Sequence, residues 1–129
     1  MTKAFQVAID GPASAGKSTV AKLVAKKFGF IYCDTGAMYR AVTLAALQQS
    51  VDLNDQAKVA EIAEHLPLRF EAGDPQQVWL GDQNVTQLIR TSEVAENVST
   101  VAAIPAVRVA MVEMQRAIAS QDNIVMDGR

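Results

Sequence analysis

The chain has 129 residues, the length of one ordinary domain, and half of them are apolar, enough for a hydrophobic core. Fourteen acids against twelve bases give a net charge of −2, which argues against a general nucleic-acid binder, since that class carries a basic patch. Cys33 is the one cysteine, so no internal disulfide can form, and a reducing compartment fits.

In chain order, Phe5 to Ile9 (FQVAI) is a short apolar run ending at Asp10 and Gly11, which suits a buried parallel strand. Ser18 to Phe28 repeats apolar residues at Val20, Ala21, Val24, Ala25 and Phe28, a helical spacing, and Gly29 is its expected stop. Phe30 to Cys33 reads as a second strand. Asp34 and Thr35 then serve as caps for a helix over about 37–49 that buries Met38, Ala41, Val42, Ala45 and Ala46. Asn54 is the expected cap of a helix over about 55–65, which Pro67 ends. Short alternating runs around Gly73-Asp74-Pro75 and Gly81-Asp82 read as β-hairpins. Thr91 opens a helix that Pro105 interrupts. A second helix, with Pro105 in its first turn, runs to about 119, and IVMD at 124–127 is a further strand ending in an acid.

No apolar run approaches the ~20 residues of a membrane span. MTKAFQVAID lacks the apolar centre and cleavage site of a secretory signal. These features lead us to expect a cytoplasmic protein that binds neither membrane nor nucleic acid, and a monomer. The order strand, Gly-rich loop, helix, strand opens an α/β fold with a phosphate-loop-type parallel sheet flanked by helices, into which the hairpins are set as a small antiparallel insertion. Three core strands are fewer than the five or six usual in a sheet. The chain therefore reads as the N-terminal part, residues 1–129, of a longer kinase-like domain, with the insertion at about 37–104.

The loop GPASAGKS matches G-x-x-x-x-G-K-[ST] at Gly11, Gly16, Lys17 and Ser18. The chemistry needs these residue types. Glycines let backbone N–H groups turn inward around an anion, and the following helix end adds a positive dipole. Gly11, Pro12, Ala13, Ser14, Ala15, Gly16, Lys17, Ser18 and Thr19 are the expected ATP-binding segment. Lys17 reaches the β- and γ-phosphates, and the Ser18 hydroxyl is a candidate Mg²⁺ ligand. Asp127, an acid ending an apolar strand, is the second candidate Mg²⁺ ligand. A switch GTPase should also carry an Asn-Lys-x-Asp base-reading motif, which the sequence lacks.

Four arginines stand in unusual places. Arg40 falls in the expected first turn of its helix and Arg108 three residues after Pro105, both positions where the helix dipole is already positive. Arg90 directly precedes the cap Thr91, and Arg129 follows the acidic strand end, where open α/β sheets bind their ligands. Cations gathered at positive helix ends make sense around an anion, and Arg binds phosphate through a bidentate fork. For any single arginine, pairing at the surface with a nearby acid such as Glu93 or Glu113 is the favoured reading; for Arg40 and Arg129, both near the carboxyl ends of core strands, phosphate binding is favoured. His65, near a helix C-terminus, is assigned no chemistry, Cys33 reads as a small buried residue, and Trp79 as packing.

The segments IDGPASAGKST, DTGAMYRAVTLAAL, IRTSEV, VAAIPAVR and MDGR, in this order and spacing, closely resemble the bacterial cytidylate kinase family of nucleoside monophosphate kinases. The resemblance covers nearly the whole chain. It implies transfer of a phosphoryl group from ATP to CMP or dCMP, giving CDP or dCDP, in pyrimidine nucleotide metabolism. It also implies that the acceptor phosphate is held at Arg40 and Arg129, its sugar side near Thr35, and its cytosine by Ser99 and Arg108. Lys17, Arg40 and Arg129 would be the catalytic residues. Family members continue beyond the DGR motif with a further Asp, a mobile lid carrying arginines, and more core strands. Other small kinases on the same scaffold, for thymidylate, adenylate or shikimate, and a nucleotide-binding module without an acceptor are the alternative readings.

Overall fold

The computed structural model describes residues 6–9, 31–73, 76–121 and 124–127; for the strands 6–9, 31–33 and 124–127 it describes the backbone. The phosphate-loop segment Gly11–Thr19, the helix expected over 18–28 and Arg129 lie outside the described residues. Among the described residues, two sheets and four α-helices follow in the order β1 (Gln6–Ile9), β2 (Ile31–Cys33), α1 (Thr35–Gln48), α2 (Gln56–Glu64), β3 (Leu68–Glu71), β4 (Gln77–Leu80), β5 (Gln83–Asn84), a 3₁₀ turn (Leu88–Arg90), α3 (Ser92–Ala102), α4 (Pro105–Gln121) and β6 (Ile124–Asp127).

β6 lies between β1 and β2 and pairs in parallel with each. The register sets Asp127 opposite Ile9, and Cys33 opposite Met126. The carboxyl ends of all three strands thus come together at one edge, which is where an open α/β sheet leaves room for a ligand. The second sheet is antiparallel, in the order β3-β4-β5. Its alternation is the expected one: Phe70 and Val78 face the core as a cross-strand pair, while Arg69 and Trp79 form the neighbouring pair on the other face. There the Arg69 guanidinium lies 4.8 Å from the centre of the Trp79 ring. Gly81 and Asp82 make the two-residue turn into β5. Gly81 has φ +59°, as a hairpin turn with glycine in its first central position requires, and its N–H donates to the Pro67 carbonyl at 2.8 Å, extending the β3–β4 pairing.

α1 is the centre of the core. The helical spacing singles out Met38, Ala41, Val42, Ala45 and Ala46; all five are buried, and so are Ala37, Thr43 and Leu44. A helix enclosed on nearly all sides needs no polar stripe. Thr43 tolerates full burial because its hydroxyl donates back to the Tyr39 carbonyl at 2.8 Å. α3 packs along α1, α2 packs on α4, and Val59, Ile89, Val94, Val101, Val107 and Met111 complete the cluster. At ~1.5–3 kcal/mol for each large side chain fully removed from water, this cluster is the main source of stability.

The helix ends correct several expectations. Asp34 caps α1 alone, its Oδ1 accepting from the Ala37 N–H at 3.1 Å, so the helix starts at Thr35 rather than 37. Asp55, not Asn54, caps α2, its Oδ1 accepting from Lys58 N–H at 3.2 Å; the Asn54 N–H is used in a local turn on Asp52 Oδ1. α1 ends with Val51 N–H donating to Ala46 C=O and Ser50 N–H to Leu47 C=O. This paired closure puts Ser50, where glycine is usual, at φ 55°. Thr91 stands at the cap position of α3, although its hydroxyl donates backward to the Leu88 carbonyl rather than capping the helix. Pro105 does break the helical run, and α3 and α4 meet at 101°. Among the described residues no single helix is long and apolar enough to cross a membrane.

Candidate anion site at the end of β2

The sequence DTGAMYR makes a site because β2 ends at Cys33 and α1 begins two residues later, with Asp34 turning the chain between them. Gly36 permits that tight start, since a Cβ there would stand 3.2 Å from the capping Oδ1 of Asp34. Next to this turn is a cavity of about 160 Å³, lined by Asp34, Gly36, Ala37, Arg40, Ile89 and Arg90.

Two arginines far apart in sequence therefore share one recess. Arg40 is half-buried on α1. Because the helix starts at Thr35, Arg40 is its sixth residue, in the second turn and not the first as expected. Its placement is explained by the cavity it faces and not by the positive helix end. Arg90 closes the 3₁₀ turn, directly before the cap residue Thr91, and is exposed. The turn is held by Ile89, only 1 % exposed, which packs between α1 and α3. Backbone bonds from Ile89 N–H to Val85 C=O (3.0 Å) and from Arg90 N–H to Gln87 C=O (3.0 Å) fix its shape.

Among the described residues, neither the Arg40 nor the Arg90 guanidinium has a hydrogen bond or ion pair. Among the described residues, the cavity is lined by the half-buried Arg40, the exposed Arg90 and one acid, Asp34, whose Oδ1 already accepts a cap bond. An anion with several oxygens would satisfy both forks. The volume is below the ~300 Å³ at which sites for whole small molecules begin. It suits a phosphoryl-sized group whose remaining parts lie outside.

Of the other expected site residues, Thr35 is half-buried as the first residue of α1, next to the cavity's Asp34 and Gly36. Ser99 and Arg108 are exposed on either side of the α3–α4 bend and do not line the cavity. Arg108 is in the first turn of α4, as expected, and its side chain has no partner among the described residues. Asp127 ends β6 beside Ile9, the last described residue before the Gly11–Thr19 motif. Its side chain lies outside the described residues, as do Lys17, Ser18 and Arg129. No group of three or more His, Cys, Asp or Glu side chains able to hold a metal occurs among the described residues. Arg90 is the residue that site prediction from sequence leaves out. Its signal was the unusual cation before Thr91, but no local spacing shows that the 3₁₀ turn folds back against α1.

A larger cleft of about 520 Å³ runs between α1, α2 and β4. Among its polar residues, Gln48 bonds to Gln83 at 3.3 Å, and Lys58 lies 4.0 Å from Asp55.

The comparisons with known proteins agree with the motifs. The family model described as cytidylate kinase matches residues 7–129. A cytidylate kinase of Limosilactobacillus fermentum is 65% identical over 129 residues, covering 100% of this chain and 57% of that protein. One from Limosilactobacillus reuteri is 63% identical over 130 residues, with 100% and 57% covered. One from Listeria monocytogenes is 54% identical over 129 residues, with 100% and 58% covered. The chain thus spans a little under three-fifths of the length of these relatives. Matched across nearly all of its residues, the chain belongs to the cytidylate kinase family.

Proposed function

We propose that the chain binds CMP or dCMP as the acceptor of a phosphoryl group from ATP, yielding CDP or dCDP. The observation that carries this reading is the recess at the end of β2, where Arg40 stands with its guanidinium unpaired among the described residues, in a chain whose family is cytidylate kinase. The fold that supports it is a phosphate-loop-type sheet flanked by helices. Residues 1–129 form the N-terminal part of one kinase domain, and about 37–104 its acceptor-binding insertion. A lid and further core strands belong to the remainder of a kinase of the relatives' length.

The chemistry is phosphoryl transfer by positioning. A phosphate monoester has a second pKa of about 6, so the acceptor oxygen is already anionic near neutral pH and needs no strong base. Alignment and charge stabilisation are what remain for the protein. The amides of Gly11–Thr19 and the Lys17 ammonium hold the donor phosphates. Arg40 and Arg129 hold the acceptor phosphate, Thr35 lies at its sugar, and Ser99 and Arg108 read the base. Mg²⁺, when bound, neutralises charge on the donor phosphates. An oxygen donor pair of hydroxyl and carboxylate suits that hard cation, and the register that sets Asp127 level with Ile9, just before the loop motif, supports Ser18 and Asp127 as the pair.

The test is a calorimetric titration of the chain with CMP, UMP, dTMP and AMP, with Mg-ATP as the donor-side control. Selective binding of CMP is expected. Binding of Mg-ATP with no response to any monophosphate would refute the acceptor reading for this chain. In a kinase of the relatives' length, Lys17→Ala is expected to lower turnover by at least about a hundredfold, the scale for loss of one preorganised charge contact; unchanged turnover would refute the role of Lys17.

A further inference from the structure

Among the described residues, the cleft between α1, α2 and β4 shares no lining residue with the Arg40 recess, and it has the size that the recess lacks. Its volume of about 520 Å³ lies within the ~300–1,000 Å³ of sites that hold whole small molecules. We propose that this cleft is a second ligand site, shaped for an uncharged heterocycle of the nucleobase or nucleoside type. The proposal stands on the cleft's own residues and does not depend on CMP as the acceptor.

Three observations carry it. The first is an apolar floor. Val51, Ile62, Leu66 and Leu80 line the cleft and are each partly buried. Val51, Leu66 and Leu80 are seated against the hydrophobic core, so the floor is formed before any ligand arrives. A planar ring laid on it removes apolar surface from water on both sides of the contact. The second is the pair of amides at the rim. Gln48, the last residue of α1, donates from Nε2 to Oε1 of Gln83, the first residue of β5, at 3.3 Å. Each amide carries one carbonyl and two N–H donors. Among the described residues, that single bond leaves Gln48 Oε1 to accept and Gln83 Nε2 to donate, side by side. An edge with a donor next to an acceptor matches them, which is how glutamine reads a base. The third is charge. Lys58 lies 4.0 Å from Asp55, and Glu61 is its neighbour one turn along α2. The ammonium is offset by these carboxylates, so the rim does not gather cations around an anion as the recess does. Glu61 can only accept hydrogen bonds, which suits the hydroxyls of a sugar and not a phosphate.

The floor supplies its own reporters. The test follows the methyl signals of Val51, Ile62, Leu66 and Leu80 by NMR while adenosine or uridine is added to the chain, with the methyl signals of Ile89 reporting on the recess. The four cleft residues are expected to shift along one saturable curve with at least one nucleoside, and Ile89 to stay still. Cleft signals that stay flat up to the solubility of both nucleosides would overturn the proposal, as would shifts confined to Ile89. Cyclohexanol is the control for a merely apolar groove; an equal response to it would also overturn the proposal. Gln83→Ala and Glu61→Ala change exposed side chains, and at matched melting temperature each is expected to weaken nucleoside binding about three- to tenfold, the scale of one hydrogen bond. Wild-type affinity in both variants would refute the reading of the rim.

Discussion

Ile89→Ala tests whether the core and the anion recess are one mechanical unit. Ile89 is 1 % exposed and packs against both α1 and α3. The substitution removes three carbons, about 2.4 kcal/mol of transfer free energy at ~0.8 per carbon. The surroundings here are helices already committed to one another, which leaves a cavity they cannot close, and the expected total is about 3–4 kcal/mol, within the ~2–5 seen for such changes. Ile89→Val removes one carbon and should cost about 1 kcal/mol. Equilibrium urea denaturation reads both, and the slope should stay constant because the unfolded surface hardly changes. Against a typical domain stability of ~5–15 kcal/mol the alanine variant should still fold, if less securely. Its CMP affinity should fall as well, because the 3₁₀ turn that carries Arg90 loses its anchor, whereas the valine variant should bind as wild type does. Equal stabilities for the two variants, or a loss under about 1 kcal/mol for alanine, would show that Ile89 is not packed as described.

Thr86→Val should destabilise the small sheet by about 1–3 kcal/mol, because Thr86 is 6 % exposed and its Oγ1 accepts from the Val78 N–H at 2.9 Å; Thr86→Ser keeps that acceptor and should lose clearly less, as read by denaturation midpoints. Ser50→Gly should stabilise the chain by about 0.5–1 kcal/mol, since Ser50 holds a left-handed conformation at φ 55° that glycine adopts freely. A thermal midpoint lowered by that change would contradict the Ala46–Val51 closure of α1.

The sequence was informative wherever a local interaction decides the outcome. The Gly81-Asp82 turn, the break at Pro105 and the buried face of α1 depend on residues within a few positions of each other, and each is found where expected. The choice between Asn54 and Asp55 as cap was missed because both residues are good caps and only the turn on Asp52 separates them. Arg40 was assigned one turn too early for a related reason: a cap at Asp34 moves the start of α1 back to Thr35. What local spacing could not supply was long-range. The sharing of one recess by Arg40 and Arg90 depends on how Ile89 packs against α1, and the middle position of β6 depends on pairings with strands near the other end of the sequence.

That middle position bears on the order in which the molecule assembles. β1 and β2 do not pair with each other; each pairs only with β6 among the described strands. During synthesis both emerge long before Ile124, and through that interval neither has its sheet partner. The helices and the antiparallel sheet make shorter-range contacts and can form meanwhile, while the parallel pairings must wait and then close a long loop. Among the described strands, those that flank the ligand end are thus paired last. The nascent chain is most open to wrong association in the interval after its acceptor-side recess has formed and before β6 joins β1 to β2.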